Sequence, residues 1–187
     1  MILPIYAYGQ PVLKRVAEDI DKDYPDLEKL IENMWETMYK AEGVGLAAPQ
    51  IGLSIRLFLI DTVQVFEDDE ETEEEGIKKV FINAEKIEEA GKEWDYEEGC
   101  LSIPDIRGDV KRPPQLKIRY LDENFEEHIE VFDGINARVI QHEYDHIEGE
   151  LFTEKLKPVK RRLIKRKLDK IRKGKITPEY KMKFAKK

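Results

Sequence analysis

Between residues 27 and 38 the apolar positions recur at the helical period. Leu27, Leu30, Ile31, Met34, Trp35 and Met38 share one face, with charged residues on the other. Pro25-Asp26 opens this predicted helix, and Gly43 is placed to end it in a left-handed cap. Upstream, Gly9–Arg15 reads as a turn into a short helix with Pro11 near its first position. Downstream the pattern changes to strand-like runs at Ile55–Asp61, Lys79–Asn83, Gln115–Asp122 and Glu127–Phe132. The last two flank Asp122-Glu123-Asn124, a hairpin turn. Helical register returns after Asp133-Gly134, at Ile135, Val139, Ile140, Tyr144 and Ile147, with Asp133 as N-cap and Gly149 as terminator. A third helix is predicted from Pro158 to about Lys173, with Leu163, Ile164, Leu168 and Ile171 as its apolar stripe. Helix, strands, helix and a basic helix, with no repeat and no linker before residue 155, indicate an α+β fold.

Charge sharpens the division. The 187 residues carry a net −8, but Lys155–Lys187 holds 16 Lys/Arg against Asp169 and Glu179, so the tail is +14 and the rest −22. An acidic body at 1–154 and a basic extension at 155–187 make a polyanionic partner plausible for the tail alone. The alternative is a solvated amphipathic helix whose charge offsets the body. Glu67–Glu75 is acidic at 8 of 9 positions, a solvated loop by composition or else an ion or partner site. The longest stretches free of Lys, Arg, Asp and Glu, Met1–Leu13 and Gly43–Ile55, have 13 residues each. Both are shorter than the roughly 20 apolar residues of a membrane span. No signal peptide is visible after Met1. The single cysteine, Cys100, excludes a disulfide within the chain and points to a reducing, cytoplasmic setting.

The chemistry concentrates in Gln141-His142-Glu143-Tyr144-Asp145-His146. His142 and His146 lie four apart on a predicted helix, so both imidazoles leave one face a turn apart and can share a divalent metal. Glu143 beside them is suited to moving a proton. Of the three histidines in the chain only His128 lies elsewhere, on an exposed strand position. A catalytic site usually needs a third protein ligand. Downstream, Phe152 stands where an extended zincin pattern would place a histidine, leaving Glu150 and Glu154. Upstream, Cys100 in Glu97-Glu98-Gly99-Cys100-Leu101-Ser102 offers a soft thiolate, although a buried structural cysteine fits the same residue.

Three separated motifs, Gly43-Val44-Gly45-Leu46-Ala47-Ala48-Pro49-Gln50, Glu98-Gly99-Cys100-Leu101-Ser102 and Gln141–His146, resemble in order and spacing those of peptide deformylase, bacterial iron-dependent type. The resemblance covers about residues 1–155. It implies antiparallel sheets packed around a central helix bearing the HExxH motif, with an N-terminal helix and a basic C-terminal helix. It also implies Cys100, His142 and His146 as metal ligands, with water completing the coordination. The metal would be Fe2+, with Zn2+, Ni2+ or Co2+ able to substitute; spacing alone suggests zinc. Glu143 would be general base and then acid, and Gln50 and the backbone N–H of Leu101 would face the developing oxyanion. Gly43, Val44 and Gly45 would line an extended formyl-methionyl peptide, with Val44, Ile135, Val139 and the His142 ring around the methionine. Glu98 would pair with Arg112, or with Arg107. The substrates implied are N-formyl-methionyl nascent chains, with no membrane, and the basic helix would dock on the ribosome. On this reading, deleting the chain from Pro158 would leave peptide turnover intact. Two other functions remain open on the sequence: an HExxH endopeptidase with a downstream third ligand, and a non-catalytic RNA- or ribosome-binding protein with a structural metal.

Overall fold

The structure, a computed structural model, describes residues 1–67 and 72–185. Part of the acidic run, residues 68–71, lies outside the described residues. The elements are β1 (Ile5–Tyr6), α1 (Leu27–Lys40), β2 (Gly45–Ala47), β3 (Leu57–Asp61), α2 (Val63–Phe66), β4 (Lys78–Ala90), β5 (Trp94–Cys100), β6 (Ile103–Arg112), β7 (Gln115–Leu121), β8 (Glu127–Asp133), α3 (Gly134–Ile147), α4 (Pro158–Arg172) and β9 (Met182–Lys183). Single 3-10 turns fall at Pro11–Lys14, Ala48–Ile51 and Phe152–Lys155.

Helices and antiparallel sheets segregate in an α+β arrangement. A five-stranded antiparallel sheet runs β2-β3-β4-β7-β8, and β5-β6 form a separate antiparallel hairpin. One pairing departs from the antiparallel expectation: β1 and β9 are parallel. Strand β3 has no polar alternation because both its faces are covered. Phe58 and Ile60 join Phe81, Ile118 and Tyr120 against Ala137, Ile140, Tyr144 and Ile147 of α3. Leu57 and Leu59 join Val80 and Ile82 against Met34 and Met38 of α1. Phe81, fully buried, stacks on Phe58 with centroids 4.8 Å apart and meets Tyr120 at 4.3 Å. Burying a side chain of that size contributes about 1.5–3 kcal/mol.

Several expected elements shift, each for a local reason. The helix over 27–40 ends as expected, but Glu42 (φ 56°), not Gly43, takes the left-handed turn, and the Gly43 N–H bonds the Met38 carbonyl. A Cβ at Gly43 would lie 2.7 Å from Leu101 Cδ1 and would push that side chain aside. Strand β4 runs past Asn83 to Ala90 through bulges. Asn83 adopts φ 51° while its amide bonds both the N–H (2.9 Å) and the carbonyl (2.7 Å) of Ile20. The β5-β6 hairpin was hidden by its charged outer positions; only the inward Ile103, Ile106 and Val110 are buried apolar side chains.

Helix α4 spans Pro158–Arg172, but its stripe is narrower than expected. Ile164 and Ile171 are buried whereas Leu163, one position round the helix, is 72% exposed. Leu156, Ile164 and Ile171 share a core with Leu13, Ile103, Ile106 and Phe152. Deleting the chain from Pro158 therefore removes core side chains as well as charge, and intact turnover is not the expected result.

Candidate metal centre

Helix α3 is buried on two sides, which is why its motif is unusually dry. Its apolar face lies on the sheet, while Arg138, Gln141, His142, Asp145 and His146, all 9% exposed or less, fill the remainder. The β5-β6 hairpin supplies the opposite wall. Strand β5 ends at Cys100 after a register shift between Gly99 and Cys100, and Leu101-Ser102 form the turn into β6. That turn brings Cys100 Sγ to 3.4 Å from His146 Nε2, and the ligand atoms of Cys100, His142 and His146 all lie within 4.8 Å of one another. The sequence separates these residues by 42 and 46 positions; only the packing of the hairpin on α3 unites them.

The donor set, one thiolate and two imidazoles, fits a divalent transition ion with a coordination position to spare. Glu143 Oε2 is buried with no partner among the described residues, as expected for a carboxylate that works on solvent or substrate rather than on the fold. Burial pushes the Glu143 carboxyl up to about 7; the His142 charge opposes and Glu98 reinforces the shift. Gly45 makes room for this side chain, since a Cβ at Gly45 would fall 2.5 Å from Glu143 Oε1.

Glu98 orients the first histidine. Its Oε1 lies 3.0 Å from His142 Nδ1, which leaves Nε2 free to meet a ligand. Arg112 grips the same carboxylate with two hydrogen bonds, Nε to Oε2 at 2.8 Å and Nη2 to Oε1 at 2.9 Å. Arg107 pairs instead with the exposed Glu97. Two residues that the sequence did not single out complete the network: Arg138 Nη1 donates to Glu98 Oε2 at 3.0 Å, and Arg112 Nη1 donates to Asp145 Oδ2 at 2.8 Å. Arg138 lies one turn before His142 on α3, and Asp145 stands inside the motif, so helical spacing could have flagged both. Burial alone would raise the Glu98 pKa, but the hydrogen bonds from His142 and Arg112 hold it well below the usual carboxylate range.

Gln50 sits in the turn after β2 and is 1% exposed. Its Oε1 accepts the Ala47 N–H at 2.9 Å, which fixes the amide so that Nε2 donates to Ser102 Oγ at 3.2 Å and Cys100 Sγ at 3.4 Å. Gly43, Val44 and Gly45 form one side of a cleft of about 690 Å3, and Ile135 and Val139 line another part of it. Ile135 and Val139 belong to the apolar pattern of α3 yet are only partly buried, because both line the cleft; Val139 also touches the core over the sheet.

The downstream ligand candidates lie elsewhere. Glu150 pairs with Lys155 at 3.1 Å and Glu154 pairs with Lys14, both near the surface. Phe152 is buried beside the His142 ring at 5.9 Å. His128, expected to be exposed, is partly buried, stacked on Tyr120 and 2.7 Å from Asp122 Oδ2.

Residues 2–162 match the family model described as polypeptide deformylase. The peptide deformylase of Christiangramia forsetii is 62% identical over 190 residues, covering 98% of this chain and 96% of that one. That of Flavobacterium johnsoniae is 56% identical, covering 99% and 97%. The crystal structure of peptide deformylase from Ehrlichia chaffeensis superposes with a TM-score of 0.82 at 32% identity, covering 94% of this chain and 97% of that chain.

Proposed function

The chain belongs to the polypeptide deformylase family, and from that membership we propose how its residues divide the reaction. It is a metal-dependent hydrolase that removes the N-formyl group from newly synthesised polypeptides and releases formate. The observation that carries the assignment of roles is the convergence of Cys100, His142 and His146, atoms within 4.8 Å, beside the unpartnered Glu143 Oε2.

Cys100, His142 and His146 hold the ion, which we take to be Fe2+, with Zn2+, Ni2+ or Co2+ able to replace it. When bound, the ion would supply Lewis acidity and would lower the pKa of the reacting water. A cation beside Glu143 favours the carboxylate, so this group accepts the proton of the attacking water and returns it to the leaving amine. Gln50 Nε2 and the Leu101 N–H face the carbonyl oxygen as charge develops on it. Gln50 is held beforehand through Ala47 and Ser102, so only the Nε2 hydrogen that meets Cys100 Sγ at 3.4 Å has to turn to the oxyanion. Gly43, Val44 and Gly45 receive the extended peptide, and Val44, Ile135, Val139 and the His142 ring enclose the methionine side chain. The HExxH helix α3 is the central element on which sheet and hairpin converge.

We read 1–154 as the catalytic unit and 155–187 as a basic extension packed on it. No helix among the described residues is long and apolar enough to cross a membrane; the lone cysteine and the nascent substrate favour the cytoplasm. Arg161, Arg162, Lys165, Arg166 and Lys170 are exposed on α4 and suit ribosomal RNA phosphates. Co-sedimentation with ribosomes is expected to fall steeply between about 50 and 200 mM salt. It should also weaken when Arg161, Arg162 and Lys165 become Glu. Salt-independent pelleting would refute the ribosome assignment.

The direct test of the catalytic reading is formate release from a formyl-methionyl peptide by anaerobically purified protein, with metal assayed on the same sample. Formate in proportion to iron content is expected. No formate from an iron-loaded chain would overturn the reading.

A further inference from the structure

After α4 the chain returns to the cleft. Gly174 (φ +66°) reverses its direction, and β9 then pairs with β1, with Ile5 N–H bonded to Lys181 O (2.9 Å) and Ala7 N–H to Lys183 O (3.0 Å). Met182 and Phe184 pack on the core beneath α4. Between Gly174 and β9, residues 177–180 form part of the cleft wall, beyond residue 162 where the family match ends. Tyr180, partly buried there, donates its hydroxyl to the Leu101 carbonyl across 2.6 Å. The adjoining Ser102 carbonyl accepts the Tyr8 N–H at 2.9 Å. The turn that carries Cys100 and Leu101 is therefore tied from outside at two successive carbonyls. Both ties come from residues within two positions of β1 or β9.

We propose that Tyr180 is a positioning residue for deformylation, holding Leu101 by its carbonyl so that the N–H of the same residue stays aimed at the developing oxyanion. The inference rests on the role given above to the Leu101 N–H. Leu101 needs such a tie because it lies in the turn after the Gly99/Cys100 register shift, outside the β5-β6 strands themselves. An oxyanion donor contributes only as far as its direction is fixed before charge develops. Burial and the neighbouring Cys100 raise the Tyr180 pKa, so its hydroxyl remains a donor at neutral pH.

Tyr180→Phe in the full-length, iron-loaded enzyme removes one oxygen and keeps the ring. Metal content, kcat and KM for a formyl-methionyl peptide, and hydrogen exchange across residues 99–103 are measured beside the unsubstituted chain. The expected result is a fall in kcat of roughly 3- to 10-fold, the effect of one hydrogen bond, with KM within about 2-fold. Exchange at 99–103 should quicken while β3 and β4 stay unchanged. Unchanged kcat with unchanged exchange overturns the proposal, as does a rise in KM alone, which would make Tyr180 a substrate contact. Faster exchange with unchanged kcat overturns it through the oxyanion role of Leu101, leaving the tie itself standing. Absence of formate from the unsubstituted chain would instead be the failure of the catalytic reading.

Discussion

Cys100→Ser is expected to yield protein that retains its fold but purifies nearly metal-free and releases almost no formate. Losing a partner behind a ligand already lowers metal affinity by about 10–100-fold, and losing the ligand itself should exceed the upper figure. Serine is nearly isosteric, yet its hydroxyl is a poor replacement for a thiolate toward a transition ion. The substitution also replaces the sulfur that Gln50 Nε2 meets at 3.4 Å with a smaller hydroxyl on a shorter bond, while the contact to Ser102 is kept. Metal per chain and formate release on one preparation, with far-UV circular dichroism to verify folding, provide the check. Full metal and full activity in this variant would refute the three-ligand assignment and revive an endopeptidase-like site with another ligand.

Glu143→Gln separates proton transfer from ion holding. The amide keeps the size of the side chain that fits against Gly45, where a Cβ would come within 2.5 Å of the carboxylate. Metal content should stay at the unsubstituted level, because Glu143 is not among the converging ligands. Formate release should fall about 10²–10⁴-fold in kcat, since water loses its proton acceptor and the amine its donor. Steady-state kinetics paired with metal analysis distinguish this from Cys100→Ser, in which both quantities fall together. A Glu143→Gln enzyme within a few-fold of the original rate would remove the carboxylate from the chemistry.

The ion pairs behind the site have a different purpose. Glu98 and Asp145 face Arg112 and Arg138 with side chains no more than 7% exposed, two acids against two bases in a dry interior. Replacing one partner of such a pair costs about 3–5 kcal/mol, chiefly through the charge left unpaired, so the network is weak evidence for net stability. Its visible effect is orientation: the doubly held Glu98 fixes Nδ1 of His142, and with it the direction of the ligating nitrogen.

Much of the site could be read from the chain. His142 and His146 are four apart on a helix and share one face, and Glu143, three before His146, stands at its edge. The helices α1, α3 and α4 declared themselves by period, because each covers a core with a single apolar stripe. Charged outer positions and close-approach glycines concealed the β5-β6 hairpin, since a strand with one wet face beside a polar site has little hydrophobic signal. Helical spacing put Arg138 and Asp145 beside the motif, but their pairing with Glu98 and Arg112 became visible only once the distant strands were in place. Tyr180 had no local signal at all: its one informative contact, to the Leu101 carbonyl, spans 79 residues.

By itself, then, the sequence determined which side chains could bind an ion and move a proton, because residue chemistry and short-range helical spacing are local properties. The tertiary structure alone decided that the sulfur of β5 meets the imidazoles of α3, that two arginines brace the carboxylate behind them, and that residues 177–180 of the basic tail wall the cleft. Those outcomes depend on which distant surfaces bury one another, and that choice is made by the packing of the whole chain.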